Sequence, residues 1–362
     1  MFKKLHDLAR NYVQKDFVHD KFDGIYPFGL SDLPNLKYKS FGEKNPDKTF
    51  FVIYRTPYEA GFFSNFVHVF RYLKMADDLK LIPIIDFENF KTFYNNEKPI
   101  NGTENSWEYY FEQPSPYSLE EVYQSKNVLF CDGIFPHSVN MTYEQTVEYC
   151  NKAFKIKPHI TEHIKQYDKF FEGNKVLGIH FRGKDLNIFP GHPFGMTEKQ
   201  VFKYADEIIE KFGITKIFAA TNEKRYMDLL VERYGDMVFF ADNLRTEKTN
   251  EFNMKPRENH RYLLGLEVLT DAILLSRCNG LLHGHSNIIA TANWLNKNLE
   301  FSYFVDNGMN VKNKYRARYL FSIRKMLPKG FGGLADNVRI TVNKEARNCV
   351  ELPAKTLFKP DL

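Results

Sequence analysis

The chain lacks most of the short signatures that identify an enzyme at sight. Its 362 residues contain no Gly-x-Gly-x-x-Gly fingerprint and no Gly-x-x-x-x-Gly-Lys-[Ser/Thr] loop, which argues against dehydrogenases and P-loop kinases. There is no Gly-x-Ser-x-Gly elbow either. Cysteine is scarce: Cys131, Cys150, Cys278 and Cys349 stand far apart with no Cys-x-x-Cys pair, so neither a structural zinc site nor a disulfide framework is implied. Free thiols in a reducing cytoplasm are the expectation. No apolar run approaches the roughly 20 residues that span a bilayer, and Met1-Phe-Lys-Lys-Leu-His6 lacks the apolar core of a secretory signal. Excess charge is small. A formal +5 and a pI near 8.7 suit an anionic ligand or membrane surface but are too weak for nucleic acid, for which no motif appears. An Asp-x-Asp pair of the kind that holds a metal–nucleotide is missing; Asp77-Asp78 lies within a helical pattern and reads as surface.

What is present is a globular composition, 43% hydrophobic and 26% charged, with 34 Phe and 21 Tyr. The length predicts two domains. Residues 49–55 read as a strand. Gly61 opens a helical pattern through Phe63, Phe66, Val67, Phe70 and Leu73, and residues 81–86 form a second buried strand ending in Asp86, completing a βαβ unit. Residues 91–116 read as a long aromatic loop, 127–132 as a strand and 143–171 as a linker helix. The second half alternates more cleanly: strands at 176–181, 216–220, 237–240, 280–283 and 299–304, helices at 198–212, 223–234, 261–276 and 287–295. This alternation predicts α/β domains with a parallel sheet covered on both faces. The expected boundaries are 1–150, 151–310 and a C-terminal extension, 311–362, packing back on the N-terminal domain. A ligand site is expected in the cleft between facing strand ends.

Five constellations fall at strand ends or helix starts. The most telling is Val176-Leu-Gly-Ile-His-Phe-Arg-Gly-Lys-Asp185, an apolar strand that delivers His180, Arg182, Lys184 and Asp185 beside Gly183. A guanidinium fork there suits phosphate oxygens; a strand followed by a solvated turn is the plainer alternative. Gly61 and Asn65 begin a helix, where free amides favour phosphate or where an ordinary cap suffices. Thr221 and Asn222 follow a buried strand, and an N-cap explains one of them. Glu267 and Asp271 share one face of an apolar helix and need partners, which a donor-rich base or a neighbouring Arg would supply. In His283-Gly-His-Ser286, Ser286 is a good N-cap, and His283 and His285 have no third metal ligand at sensible spacing.

In this order the segments resemble the GDP-fucose-dependent fucosyltransferases, especially the α-1,6 enzymes. The likeness lies in Gly178-Ile-His-Phe-Arg-Gly-Lys-Asp185, in 218–223 with 234–242, in 269–278 through Ser286, and in Gly61-Phe-Phe-Ser-Asn65. The resemblance implies a GT-B architecture: two Rossmann-like domains facing across a cleft, the donor held by the C-terminal one. It implies an inverting, metal-independent transfer of L-fucose from GDP-fucose to a glycan or lipid-linked glycan, with no cofactor. Arg182 would contact the β-phosphate with Lys184 beside it, His180 and Asp271 would read guanine, Ser286 with His285 and the following amides would support the pyrophosphate, and Gly61 and Asn65 would close on the phosphates. Thr221 and Asn222 fall in the second shared segment, as donor-site residues. Asp185 belongs to the same motif and is expected, with Arg182 and His192, to be catalytic. The relatives' Glu after that motif is absent, and His192 or Glu198 stands nearby as a substitute base. The motif's second Arg is replaced by Gly183. Another nucleotide sugar on the same fold, or a silent glycan-binding protein, remain as alternatives. A cytoplasmic enzyme at the inner face of a membrane is expected. Residues 312–329 are basic and aromatic; a membrane-surface segment is one reading, a solvated helix packed on the N-terminal domain the preferred one.

Overall fold

The structure is a computed structural model that describes residues 26–27, 37–55, 60–130, 141–182, 187–246, 251–254, 257–296 and 299–342. It divides into two compact units, each α/β. The first draws on Met1–Met141, Glu148–Thr161 and Lys255–Leu266, the second on Thr142–Val147, Glu162–Met254 and Glu267–Leu362.

The first unit contains β1 (Tyr26–Pro27), β2 (Lys37–Lys39), β3 (Lys44–Ile53), α1 (Phe62–Asp78), β4 (Ile82–Ile85), α2 (Leu119–Val122) and β5 (Ser125–Phe130). Helices α3 (Tyr143–Ala153), shared between the units, and α4 (Pro158–Lys165) follow. The sheet order is β1-β2-β5-β3-β4, with β3 parallel to both β4 and β5. Phe50, Phe51, Val52 and Ile53 are fully buried, as expected of a central parallel strand covered on both faces. Asp86, the carboxylate after β4, is consumed locally: it accepts from the Glu88 and Asn89 amides, the Asn89 side chain and the Tyr123 hydroxyl. The aromatic loop at 91–116 is part of the core. Trp107 stacks on Phe111 at 4.5 Å, and the buried Asn105 ties the loop to β4 by donating to the Ile85 carbonyl at 2.7 Å.

The second unit runs β6 (Val176–His180), α5 (Glu198–Phe212), β7 (Lys216–Ala220), α6 (Lys224–Tyr234), β8 (Val238–Phe239), α7 (His260–Leu275), β9 (Gly280–His283), α8 (Asn287–Leu295), β10 (Phe301–Asp306), α9 (Lys314–Arg324) and β11 (Asn337–Val342). Residues of α7 up to Leu266 count with the first unit. Helix α5 shows why these elements form. Thr197 and Gln200 make a reciprocal capping box, Gly213 closes the helix at φ 65°, and Val201, Tyr204, Ala205 and Ile208 recur on its buried face. The sheet order is β11-β10-β9-β6-β7-β8.

One expectation changes. The sheets are mixed, because β2 pairs antiparallel with β5, and β11 antiparallel with β10 at one edge. Neither addition contains a buried residue, so both lack the apolar run that marks a buried strand. The extension after residue 310 is described as far as Val342. Its described part belongs to the second unit: β11 joins that unit's sheet and the Asn310 side chain donates to the Ala317 carbonyl of α9.

Glycines let these layers approach. A Cβ on Gly280 would lie 1.9 Å from the Phe301 ring, which itself stacks on Phe212 at 3.9 Å. Gly280→Ala is therefore expected to destabilise the protein by about 1–3 kcal/mol or more through overpacking, read as a lower urea midpoint at unchanged slope.

Candidate functional site

Counted from β6, the strand order of the second unit is 6-5-4-1-2-3, the doubly wound arrangement whose ligand crevice opens where the first and fourth strands meet. Those strands are β6 and β9, paired in parallel with His180 in register with His283. At their carboxyl ends stand Phe181 and Arg182 on one side and Gly284, His285 and Ser286 on the other.

Arg182 is exposed and forms no ion pair among the described residues. Its main chain is clamped: a Cβ on Gly195 would sit 2.5 Å from the Arg182 carbonyl, so only glycine lets residues 187–196 lie against it. That segment is held by the Gly195 amide donating to Asn187 Oδ1 at 2.8 Å, Asn307 donating to the Gly195 carbonyl at 2.7 Å, and the Phe194 amide donating to the Gly308 carbonyl at 2.9 Å. The strap brings exposed His192 into the field of Arg182. Partial desolvation, then that guanidinium, lower the imidazole below its usual value, so His192 is neutral at pH 7.

His180 is buried and pushed down to about 3, first by desolvation and then by Arg182 and His283. His283 is also neutral, lowered to about 4 by burial. Its Nδ1 lies 2.9 Å from the Gly284 carbonyl and so carries the proton, leaving Nε2 to accept from the Ser302 hydroxyl at 2.9 Å. His285 turns toward Asp306, with Nε2 3.6 Å from Oδ1. Ser286 is the N-cap of α8, yet its side chain makes no capping hydrogen bond, so the hydroxyl does not cover the first-turn amides.

Asp271 is buried on α7, and desolvation raises its carboxyl to about 7 despite the opposing effects of Arg245 and Asn243. Asn243 Nδ2 donates to Asp271 Oδ1 at 2.8 Å. Arg245 donates to the Ala241 and Asn243 carbonyls, while its Nε is buried without a partner among the described residues. Asn243 and Arg245 escaped the sequence reading. The available signal was a polar run directly after a strand, opposite an acid that needed a partner.

Thr221 and Asn222 lie at the end of β7 and are engaged in shaping the turn. Thr221 Oγ1 accepts from the Glu223 amide at 3.2 Å, and Asn222 donates to Glu251 at 3.2 Å. Glu198 accepts from Arg225 at 2.7 Å. Gly183, Lys184 and Asp185 lie outside the described residues. Gly61 and Asn65 belong to the first unit, where Gly61 is the N-cap of α1 and Asn65 Nδ2 donates weakly to the Ala60 carbonyl at 3.4 Å. A small void beside Asn65, walled by Phe62, Phe66, Trp107 and Phe111, has room for about one water.

No known protein family and no curated protein match the chain. Among solved structures it is similar to the NodZ α-1,6-fucosyltransferase co-crystallized with GDP, at 16% identity and a TM-score of 0.46, covering 82% of this chain and 99% of that one. It is also similar to the fucosyltransferase NodZ from Bradyrhizobium, at 16% identity and a TM-score of 0.43, covering 72% and 95%. A mutant of Arabidopsis thaliana FUT1 in complex with GDP follows at 8% identity and a TM-score of 0.42, covering 81% and 74%.

The buried titratable groups set a pH dependence. His68, held neutral at about 3 mainly by burial, joins His180 and His283 in having a depressed folded value. Their stability contribution is complete above about pH 6.5 and is lost as pH falls toward those values. Asp271 has the opposite sign: its raised value contributes stability below about pH 4 that is lost as pH rises through about 7. Three histidines against one carboxyl leave about two net protons taken up on unfolding, a slope of roughly 3 kcal/mol per pH unit at most. Urea midpoints are expected to fall between pH 6.5 and 4.5, and Asp271→Asn to steepen the fall; equal midpoints would contradict the assignment.

Proposed function

We propose that the protein is an inverting glycosyltransferase that moves L-fucose from GDP-fucose to a hydroxyl of a glycan or lipid-linked glycan. One observation carries the reading: an exposed guanidinium, Arg182, stands at the switch point between β6 and β9 together with the helix start at Ser286. Cleavage breaks the bond between the sugar anomeric carbon and the β-phosphate oxygen, and the electron pair leaves with GDP. Arg182, the amides of the first turn of α8 and Lys184 oppose that growing charge more strongly in the transition state than before it. The sugar passes through an oxocarbenium-like state, the acceptor oxygen bonds the opposite face of the carbon, and neutral His192 takes the acceptor proton. Asp271 and His180 read the base. In the same reading Asp185 is catalytic with Arg182 and His192, Thr221, Asn222 and His285 support the donor site, and Gly61 and Asn65 serve the phosphates. The protein's own cations and amides take the role that a metal fills elsewhere, so neither a metal nor a cofactor is required.

Thermal-shift measurements with GDP, UDP, CDP and ADP test the donor: GDP is expected to stabilise most, and a preference for UDP would remove fucose. Arg182→Ala is expected to lower donor turnover by about 100-fold or more and to weaken GDP binding. His192→Ala should lower kcat with GDP affinity retained, and unchanged turnover in both variants would refute the assigned roles. Wild-type protein that binds GDP but neither hydrolyses nor transfers would be a binding module.

A further inference from the structure

Helix α9 and the turn after it carry an exposed apolar stripe that the proposed transfer does not use. Tyr315 is 70% exposed, Tyr319 66% and Ile323 54%, and Met326 and Phe331 reach 80%. Tyr315, Tyr319 and Ile323 recur every four residues on one helix face, and Met326 continues the line one turn on. The opposite face is the anchored one. Ala317 is fully buried, and Phe321 packs on Phe194 with ring centroids 5.6 Å apart. The helix thus shows solvent the side chains that a soluble helix normally hides.

Charge says what covers the stripe. Between Asp306 and Asp336 the sequence has no Asp or Glu, while Lys312 precedes the helix, Lys314, Arg316 and Arg318 stand in its first turns, Arg324 ends it, and Lys325 and Lys329 follow. On the helical wheel Arg316 borders the stripe on one side and Arg318 on the other. A second copy meeting this face isologously would set cations against cations. Stacked bases have no use for Ile323, Met326 and Leu327. An anionic lipid surface satisfies both halves of the pattern, since aromatic and aliphatic side chains enter the acyl boundary while the flanking cations meet head groups. No helix among the described residues is long and apolar enough to cross a membrane, so the contact is with the surface.

We propose that α9 and the following turn, residues 314–331, dock the protein on bilayers rich in anionic phospholipid. The face presented at 315, 319, 323 and 326 inserts, and the surrounding Lys and Arg supply the attraction. This docking is independent of the donor chemistry.

The test uses the full chain with vesicles of phosphatidylcholine alone and of phosphatidylcholine with about 30% phosphatidylserine. Cosedimentation is expected to be about tenfold or more stronger on the anionic vesicles and to fall steeply between about 0.1 and 0.5 M salt. Tyr319→Glu with Ile323→Glu should lower it by about tenfold while leaving the thermal midpoint and its response to GDP unchanged. Equal binding to both vesicles, no binding, or binding retained in the double variant would overturn the proposal. So would a concentration-dependent dimer dissolved by the same variant, which would assign the face to a second copy. Equal competition by single-stranded DNA would assign it to nucleic acid.

Discussion

The pairing of β6 with β9 is the contact on which the second unit depends. The two strands are about a hundred residues apart in sequence, yet Leu177 aligns with Gly280 and His180 with His283. Two glycines permit it. At Gly178 a side chain would collide with Leu281 and Cys278, and at Gly280 with Phe301. Once the strands adjoin, their carboxyl ends place a guanidinium next to a helix start.

Among the described residues, the histidines that feel the field of Arg182 stay uncharged. His180 and His283 are buried and neutral, His192 is lowered by desolvation and by Arg182 itself, and no described carboxylate pairs with the guanidinium. A paired arginine would already have spent its field on a protein acid. A second cation at His180 would carry a large desolvation penalty. The imidazole there provides polar contact without charge, and Arg182 itself is exposed.

Much of this arrangement was legible in the chain. Helix α5 at 198–212, β7 at 216–220, β9 at 280–283 and α8 at 287–295 fall where apolar period and capping residues place them. So does the turn that follows β9. Two strands were not legible: β2 is half-buried throughout and β11 has no buried residue, so neither shows a continuous apolar run. The partners of Asp271 were invisible for a related reason. Asn243 and Arg245 lie in a short irregular segment after a two-residue strand, and only tertiary folding turns them toward α7. The carboxylate of Asp86, at the strand end the sequence marks, is engaged by three donors from Glu88 and Asn89 and by the distant Tyr123 hydroxyl.

Two glycines separate what the fold needs from what it leaves unexplained. Gly195 stood in no motif, but the Arg182 carbonyl occupies the place of its Cβ, and this contact orders the strap that carries His192. Gly61 did stand in a motif, and packing gives it no reason to be glycine. Its φ is −64°, a Cβ would meet nothing within 4 Å, and Ser or Asn would cap α1 better. A glycine that neither backbone angle nor neighbour demands leaves open space over a helix start. Of the amides there, that of Phe62 already donates to the Tyr94 hydroxyl at 3.0 Å, and those of Ser64 and Asn65 to the Gly61 carbonyl.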